Sequence, residues 1–408
     1  GSQILGGLKA ARIVKQYSKV PVVWGGVHSS IFPTLTLKDD LVDIVVRGEG
    51  EVTFYELVKR LQEGHSLDGL QGVWFKRDGQ IVENPERDFI NMDDFPDVPY
   101  HLVNLNDYLH QFFGQRRVLE VESSRGCPYA CAFCYNPLYG KRKWRALGAE
   151  NVIGRIQTLV DRNKVRCFHF IDDGFFIDKD RVRQIMEGIV HRGLEIKLGF
   201  QGARIDTLRK MSDEDMNSLC RAGGTFLQFG VESGSPRILQ LINKQIEVGE
   251  VIELNRRLAR FPSLIPYYNF MCGFPTETRE DLFMTTSLAW QLLAENRQAM
   301  ISPFHHYKPY PGTPLAKIAT DENYITGKSL EEWGHFDWTE GIKHERDKSS
   351  LRLLKNVEMV SIFADRKMES QSDSRLWAFL GSLYRPIARL RLRHNIYSFM
   401  PEGRLLRH

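Results

Sequence analysis

Ser124-Arg125-Gly126-Cys127-Pro128-Tyr129-Ala130-Cys131-Ala132-Phe133-Cys134-Tyr135 is the stretch on which the reading of this chain turns. It follows the apolar run Val118–Glu122, which reads as a β-strand. Of six cysteines in the chain, Cys127, Cys131 and Cys134 lie within eight residues. An extracellular disulfide framework would spread and pair them, so the crowding points to a metal or cluster site in a reducing compartment. The CxxxCxxC spacing sets three thiolates on one tight loop. Zinc wants four ligands, commonly as two separated pairs, and no second pair is present. Cys167, Cys220 and Cys272 fall in predicted strand or helix interiors, where a free cysteine packs as a small hydrophobe. A 4Fe-4S cluster takes four cysteines as a rule. Three would leave one iron open to a substrate or cofactor, and a zinc knuckle with a remote fourth ligand is the competing reading.

Outward from this loop, residues from Arg117 to about Leu315 alternate short apolar runs with amphipathic helical patterns. The expected strands are Val118–Glu122, Cys167–Ile171, Glu195–Phe200, Phe226–Val231, Ile265–Cys272 and Ser302–Tyr307. Six strand–helix units predict an α/β fold with a partial (β/α)6 TIM-like barrel, whose chemistry sits at the C-terminal strand ends. Ahead of it, residues 4–18 carry helical spacing. Val20–Trp24 and Leu41–Val46 read as strands and Val52–Leu61 as a helix, the rhythm of a parallel α/β layer. That layer is about half of a doubly wound, Rossmann-like domain, so its first half is expected to be missing. Gly72–Phe75 and Gln80–Val82 around Asp78-Gly79 predict a hairpin. The expected division is a partial α/β domain at 1–69, a linker at 70–112, the core at 113–315 and a mostly helical C-terminal region at 316–408.

Composition narrows the function classes. The chain has 408 residues, 42% hydrophobic and 26% charged, with 55 Lys+Arg against 51 Asp+Glu. These fractions exclude disorder, collagen-like sequence and a disulfide-dense miniprotein. A net charge of +4 is too weak to argue for nucleic acid. No run of 18 apolar residues is present to span a bilayer. Residue 1 is Gly and the start lacks a signal-peptide layout, so a trimmed chain is expected.

CxxxCxxC with an aromatic, Phe133, just before the last cysteine resembles the signature of radical S-adenosylmethionine (SAM) enzymes. In that family three cysteines hold a 4Fe-4S cluster, and the amino and carboxylate groups of SAM chelate the fourth iron. Reductive cleavage of SAM then gives a 5′-deoxyadenosyl radical. The resemblance extends along the six-strand region. Phe133 matches the aromatic near the adenine, and His169-Phe-Ile-Asp172-Asp173-Gly174 resembles the second-strand end that contacts the SAM amino group. Many members carry Gly-Gly-Glu there. Gly230-Val-Glu232-Ser233-Gly234-Ser235 resembles the fourth-strand motif near the ribose and carboxylate. Met271-Cys-Gly273-Phe-Pro-Thr-Glu277 resembles the fifth-strand glycine segment under the adenine, and Tyr310-Pro-Gly312-Thr313-Pro314 the sixth-strand exit. Gln201 and Arg204, on the third strand, could reach the SAM carboxylate; a structural salt bridge is the plain alternative for Arg204. Taken singly such motifs are weak, since Asp-Asp-Gly after a strand is usually a turn; their order after the cysteine loop carries the argument.

Val22-Val-Trp24-Gly25-Gly26-Val27-His28-Ser29-Ser30 and Asp43-Ile-Val-Val-Arg47-Gly48-Glu49-Gly50-Glu51 resemble the second half of the cobalamin-binding domain that precedes many radical SAM cores. Open parallel sheets bind ligands beyond their C-terminal strand ends, which makes Gly25, Gly26 and His28 candidate cofactor contacts. His28 reads either as a cobalt ligand or as a hydrogen-bonding turn residue, and the domain either as cobalamin-binding or as a remnant. In the tail, Arg375–His408 carries seven Arg and one acid, Glu402. It reads as helices packed on the barrel or as an interfacial element on anionic lipid.

The expectation is therefore a cytoplasmic cobalamin-dependent radical SAM enzyme that methylates an unactivated carbon. Its cofactors are a 4Fe-4S cluster on Cys127, Cys131 and Cys134, SAM against Phe133, Asp172, Asp173, Arg204, Glu232, Ser233 and Gly273, and cobalamin. Partners are a small-molecule substrate, apolar or lipid-like in class, and a flavodoxin or ferredoxin reductase, with no nucleic acid and a contact to the inner membrane surface through 375–408. The alternatives are a radical SAM cyclase or rearrangement enzyme, with cobalamin absent or non-methylating, and a non-catalytic iron–sulfur or metal-binding module. No group that reacts directly with the substrate is legible.

Overall fold

Helix α1 (Ser2–Tyr17) buries Ile4, Leu8 and Ala11, the one-face spacing its sequence carries. The computed structural model describes residues 1–319, 328–335, 348–365, 375–398 and 400. It divides into one unit of Gly1–Phe95, Tyr135–Lys141 and Lys308–Lys343, and another of Pro96–Cys134, Arg142–Tyr307 and His344–His408. Part of the expected C-terminal region, Glu402 included, lies outside the described residues.

In the first unit, β1 (Val23–Trp24) and β2 (Ile44–Val46) pair in parallel, with Val23 opposite Ile44. Helices α2 (Val27–Ile31), α3 (Pro33–Lys38) and α4 (Gly50–Glu63) complete the α/β layer. The expected hairpin, β3 (Val73–Arg77) and β4 (Gln80–Glu83), adds antiparallel to β2 and gives the sheet order β1-β2-β3-β4. Its turn residues Asp78 and Gly79 take φ of 52° and 76°, the left-handed pair a two-residue hairpin turn requires. The unit's core joins Ile4, Leu8, Leu37, Val42 and Val45 to Leu330 and Trp333. A short helix far along the chain, Leu330–Gly334, thus completes the front layer.

The second unit is built on a curled seven-stranded half-barrel. Its strands are β5 (His110–Phe112), β6 (Gln115–Val121), β7 (Cys167–Phe170), β8 (Lys197–Ala203), β9 (Gly224–Glu232), β10 (Ile265–Cys272) and β11 (Met300–His306). They lie in the order β11-β10-β9-β8-β7-β6-β5. All neighbours from β6 to β11 run parallel, and β5 closes antiparallel on β6. Each of the six strands expected from the sequence is present within a few residues of its expected bounds. β5 was not expected; it lies in the stretch read as linker.

Helices α5 (Ala149–Asn163), α6 (Lys179–His191), α7 (Asp213–Arg221), α8 (Val248–Leu258) and α9 (Arg279–Glu295) make the crossovers. Local chemistry sets where three of them start. Asp178 accepts from the Asp180 and Arg181 amides, and Ser212 and Thr278 form capping boxes with Asp215 and Asp281. The helix-facing side of the sheet buries Phe168, Phe170, Phe200, Phe229, Tyr268, Phe270, Cys272 and Phe304. Cys272 therefore packs as core. Two later helices, α10 (Lys348–Ala364) and α11 (Arg375–His394), supply the helical C-terminal region.

Candidate functional site

The cysteine loop leaves the end of β6 and is tied down at both ends. Gly126, at φ 80°, donates its amide to Asp173 Oδ2 at 3.2 Å. A Cβ there would collide with the Lys143 carbonyl oxygen, so only glycine starts this loop. At the far end the Ala132 amide bonds the Ile242 carbonyl at 2.8 Å, and Asn243 Nδ2 bonds the Ala130 carbonyl at 2.9 Å. Cys131 is buried and Cys127 and Cys134 are half-buried; no disulfide joins the six cysteines. Burial pushes the Cys127 thiol up.

Among the described residues no three His, Cys, Asp or Glu side chains converge on one ion position. A mononuclear site would need that convergence, with every ligand about 2.3 Å from one metal. Three free thiols on one loop fit an iron–sulfur cube, in which each cysteine binds a different iron.

Arg204 lies against this loop. Its guanidinium stacks over the Tyr129 ring at 3.4 Å, pairs with Asp206 at 2.9 Å, donates to the Lys244 carbonyl at 3.0 Å and approaches Cys131 Sγ at 4.0 Å. The salt bridge is formed, and the same side chain brings a positive charge beside a ligand sulfur. Burial, aided by the hydrogen-bonded Asp206, pushes Tyr129 up to about 12.

The ends of the following strands bring most of the other barrel candidates to the same edge. On β9, Glu232 sits at φ 69° and pairs with Lys244 at 2.9 Å, both side chains nearly buried. A Cβ on Gly230 would strike this pair. Lys244 Nζ lies 5.9 Å from the Phe133 ring, which meets Phe274 edge-on at 6.3 Å. Gly273, at φ 81°, donates its amide to Glu277 Oε2 at 2.5 Å. Ser233 is fully buried and bonds Thr285 Oγ1 at 3.0 Å.

Asp172 and Asp173 part company. Asp173 is exposed beside the loop. Asp172 is buried and accepts from the Ser123 amide at 2.8 Å and from the Ser123 and Ser124 hydroxyls at 2.6 Å. Burial nonetheless raises its carboxyl to about 6. It braces the strand end from inside.

Below this edge, the face of the sheet away from the helices has an aromatic floor. The β5–β6 turn brings Phe112 to 4.1 Å from the His169 ring, and Phe113 to 4.0 Å from Phe226 and 5.1 Å from Tyr267. Among the described residues neither His169 nitrogen has a partner, and burial lowers this histidine to about 4. Between floor and edge, β8 to β11 each present one neutral polar side chain, Gln201, Gln228, Asn269 and His305. All four are at least partly exposed.

In the first unit, a cavity of about 1010 Å³ opens beyond β1, lined by Trp24, Gly25, Gly26, His28, Tyr135 and Trp333 among others. His28 packs against Phe32 at 5.5 Å and Trp333 at 5.8 Å. Burial lowers it to about 4, and its Nε2 is buried with no partner among the described residues. A wide, apolar-walled cavity edged by Trp24 and the Gly25-Gly26 turn fits a large planar cofactor.

Lys244, Tyr129, Tyr135 and Trp333 escaped the sequence reading. Lys244 follows a short helix rather than a strand, and nothing in Ile242-Asn-Lys-Gln marks it. Tyr135 adjoins the cysteine signature, the one signal that could have exposed any of them.

Comparison with known proteins agrees with this geometry. The sequence profile of the radical SAM superfamily matches residues 121–289. An uncharacterized methyltransferase of Pyrococcus horikoshii is 33% identical over 353 residues, 85% of this chain and 73% of the relative. The anaerobic magnesium-protoporphyrin IX monomethyl ester cyclase of Cereibacter sphaeroides is 27% identical over 306 residues, 74% of this chain and 48% of the cyclase. Among solved structures, the cobalamin-dependent S-adenosylmethionine radical enzyme OxsB, with aqua-cobalamin and S-adenosylmethionine bound, superposes with a TM-score of 0.69 at 17% identity. That match covers 98% of this chain and 63% of OxsB. The chain therefore spans about half of the cyclase and under two-thirds of OxsB.

Proposed function

Since this chain belongs to the radical SAM superfamily, we propose that it is a cobalamin-dependent radical SAM methyltransferase acting on an unactivated carbon of a small molecule. The observation that carries the reading is one of chain order. Cys134 ends the three-thiolate loop, and the next residue, Tyr135, lines the cavity beyond Gly25-Gly26. When bound, the 4Fe-4S cluster and SAM supply a 5′-deoxyadenosyl radical by reductive cleavage, and cobalamin supplies a methyl group.

The residues divide the remaining work. Cys127, Cys131 and Cys134 would hold the cluster against which SAM binds. Asp173 and Glu232 accept hydrogen bonds from its ammonium and ribose. Lys244, drawn in by Glu232, offers a cation to its carboxylate. Phe133 and the Gly273 backbone flank the adenine, with Ser233 fixing the turn behind Glu232. Asp172 orients the strand end that feeds the loop, and Arg204 supports Cys131. Gly25, Gly26 and His28 take the cobalamin. The aromatic floor excludes water from the radical.

The neutral band above that floor suits an uncharged, largely apolar substrate, and a flavodoxin- or ferredoxin-type protein would deliver the electron. The likeness to the cyclase supports a second reading, in which the radical rearranges its substrate without methylation.

Anaerobic reconstitution tests the proposal. The chain should bind about four irons, form 5′-deoxyadenosine from SAM under reduction, retain a corrinoid and pass the labelled methyl of SAM to product. C131A should lose the iron and the 5′-deoxyadenosine together. Zinc in place of iron would overturn the enzyme reading. Radical formation and product turnover without methyl transfer would favour the rearrangement.

A further inference from the structure

Helix α11 has two apolar faces where a packed surface helix needs one. Tyr384, Ala388 and Leu392 are buried on the inward face. Phe379, Leu383, Ile387 and Leu390 recur at helical spacing on the opposite side and are exposed at 60%, 61%, 49% and 54%. A stripe of large apolar side chains along one helix is more than the scattered surface hydrophobics of an ordinary domain. Pro386 lies in the middle of this helix, on the same exposed side.

The charge on this segment is as uneven as its apolarity. Residues 375–398 contain five Arg and no Asp, Glu or Lys. That +5 exceeds the +4 of the whole chain, so the other residues together are slightly acidic. Arg385, Arg389 and Arg391 are half-buried between the inward and outward faces, and Arg393 is exposed near the C-terminal end. An apolar stripe with cationic shoulders along one helix matches an interface-parallel membrane helix. The same face is a poor site for a second copy of this chain, because a twofold contact would set the basic shoulders against each other. Among the described residues no helix is long and apolar enough to cross a membrane.

We propose that α11 is a membrane-docking element that seats Phe379, Leu383, Ile387 and Leu390 in the interface of an anionic lipid surface. The inference is independent of the reaction proposed above. Flotation of the full chain with extruded vesicles tests it. The chain should float with phosphatidylcholine vesicles containing about one-third phosphatidylglycerol, far less with pure phosphatidylcholine, and salt should weaken the binding. L383S/I387S/L390S should lower the bound fraction at least tenfold, and R393E by about fivefold or more. These positions face solvent, so circular dichroism and gel filtration should match the parent. Three results would overturn the proposal: no flotation with anionic vesicles, equal flotation of the triple variant, or a parent dimer that the triple substitution converts to monomer.

Discussion

Lys244 and Glu232 form a buried ion pair, and such a pair tolerates the loss of both charges better than the loss of one. K244M leaves a carboxylate in the interior without its counter-ion, at a cost of about 3–5 kcal/mol. The E232Q/K244M double variant should recover much of that stability in urea unfolding while SAM binding stays weak. Asp172 makes the opposite kind of statement. Its folded carboxyl lies near 6 against 3.8 for the free group, so the folded chain keeps a proton that the unfolded chain releases. The resulting stabilisation is full below pH 3.8 and gone once the pH passes 6. Relative to D172N, the parent should lose about 3 kcal/mol across that window, measured as the pH dependence of the urea midpoint. A flat difference between the two proteins would refute the assignment.

At the scale of elements, the cysteine loop is held by groups distant in the chain in addition to its own Cys134 amide to Cys131 carbonyl bond at 3.2 Å. Asp173 fixes its start and Ile242-Asn243 fix its end, so the thiols are oriented before any cofactor arrives. Helix α9 depends on the Thr278 capping box, in which Thr278 Oγ1 lies 2.9 Å from Asp281 Oδ2 and 3.2 Å from the Asp281 amide. T278A should cost about 1 kcal/mol. Asp281 also bonds Ser235 Oγ at 2.5 Å and pairs with Arg237. The loss should therefore spread to the turn after Glu232, seen as faster amide exchange at residues 233–235 and 237.

For the whole molecule, two units with separate cores predict two responses to ligand. Hydroxocobalamin at about a hundred times its dissociation constant should stabilise the first unit by about 2.7 kcal/mol. Calorimetry should then show one transition moving and the other still. Cluster and SAM should move the second. A single transition that shifts equally with either ligand would show that the two units unfold as one.

The order of the six barrel strands, the three-cysteine loop and the glycines at strand ends were legible in the sequence, because periodicity and ligand spacing are local properties, whereas β5, inside the stretch read as linker, was not. Helix α11 was legible as basic and amphipathic for the same reason. What the sequence could not assign depends on partners distant in the chain. Asp172 and Asp173 are adjacent and alike in composition, yet one is braced inside by Ser123 and Ser124 while the other stays at the surface. Lys244 reaches Glu232 only because the segment after β9 folds back over the strand end. Trp333 enters the core of a sheet built some 300 residues earlier. Burial and desolvation belong to the assembled structure, so they alone decided which of several similar side chains are buried or paired and which remain open to a ligand.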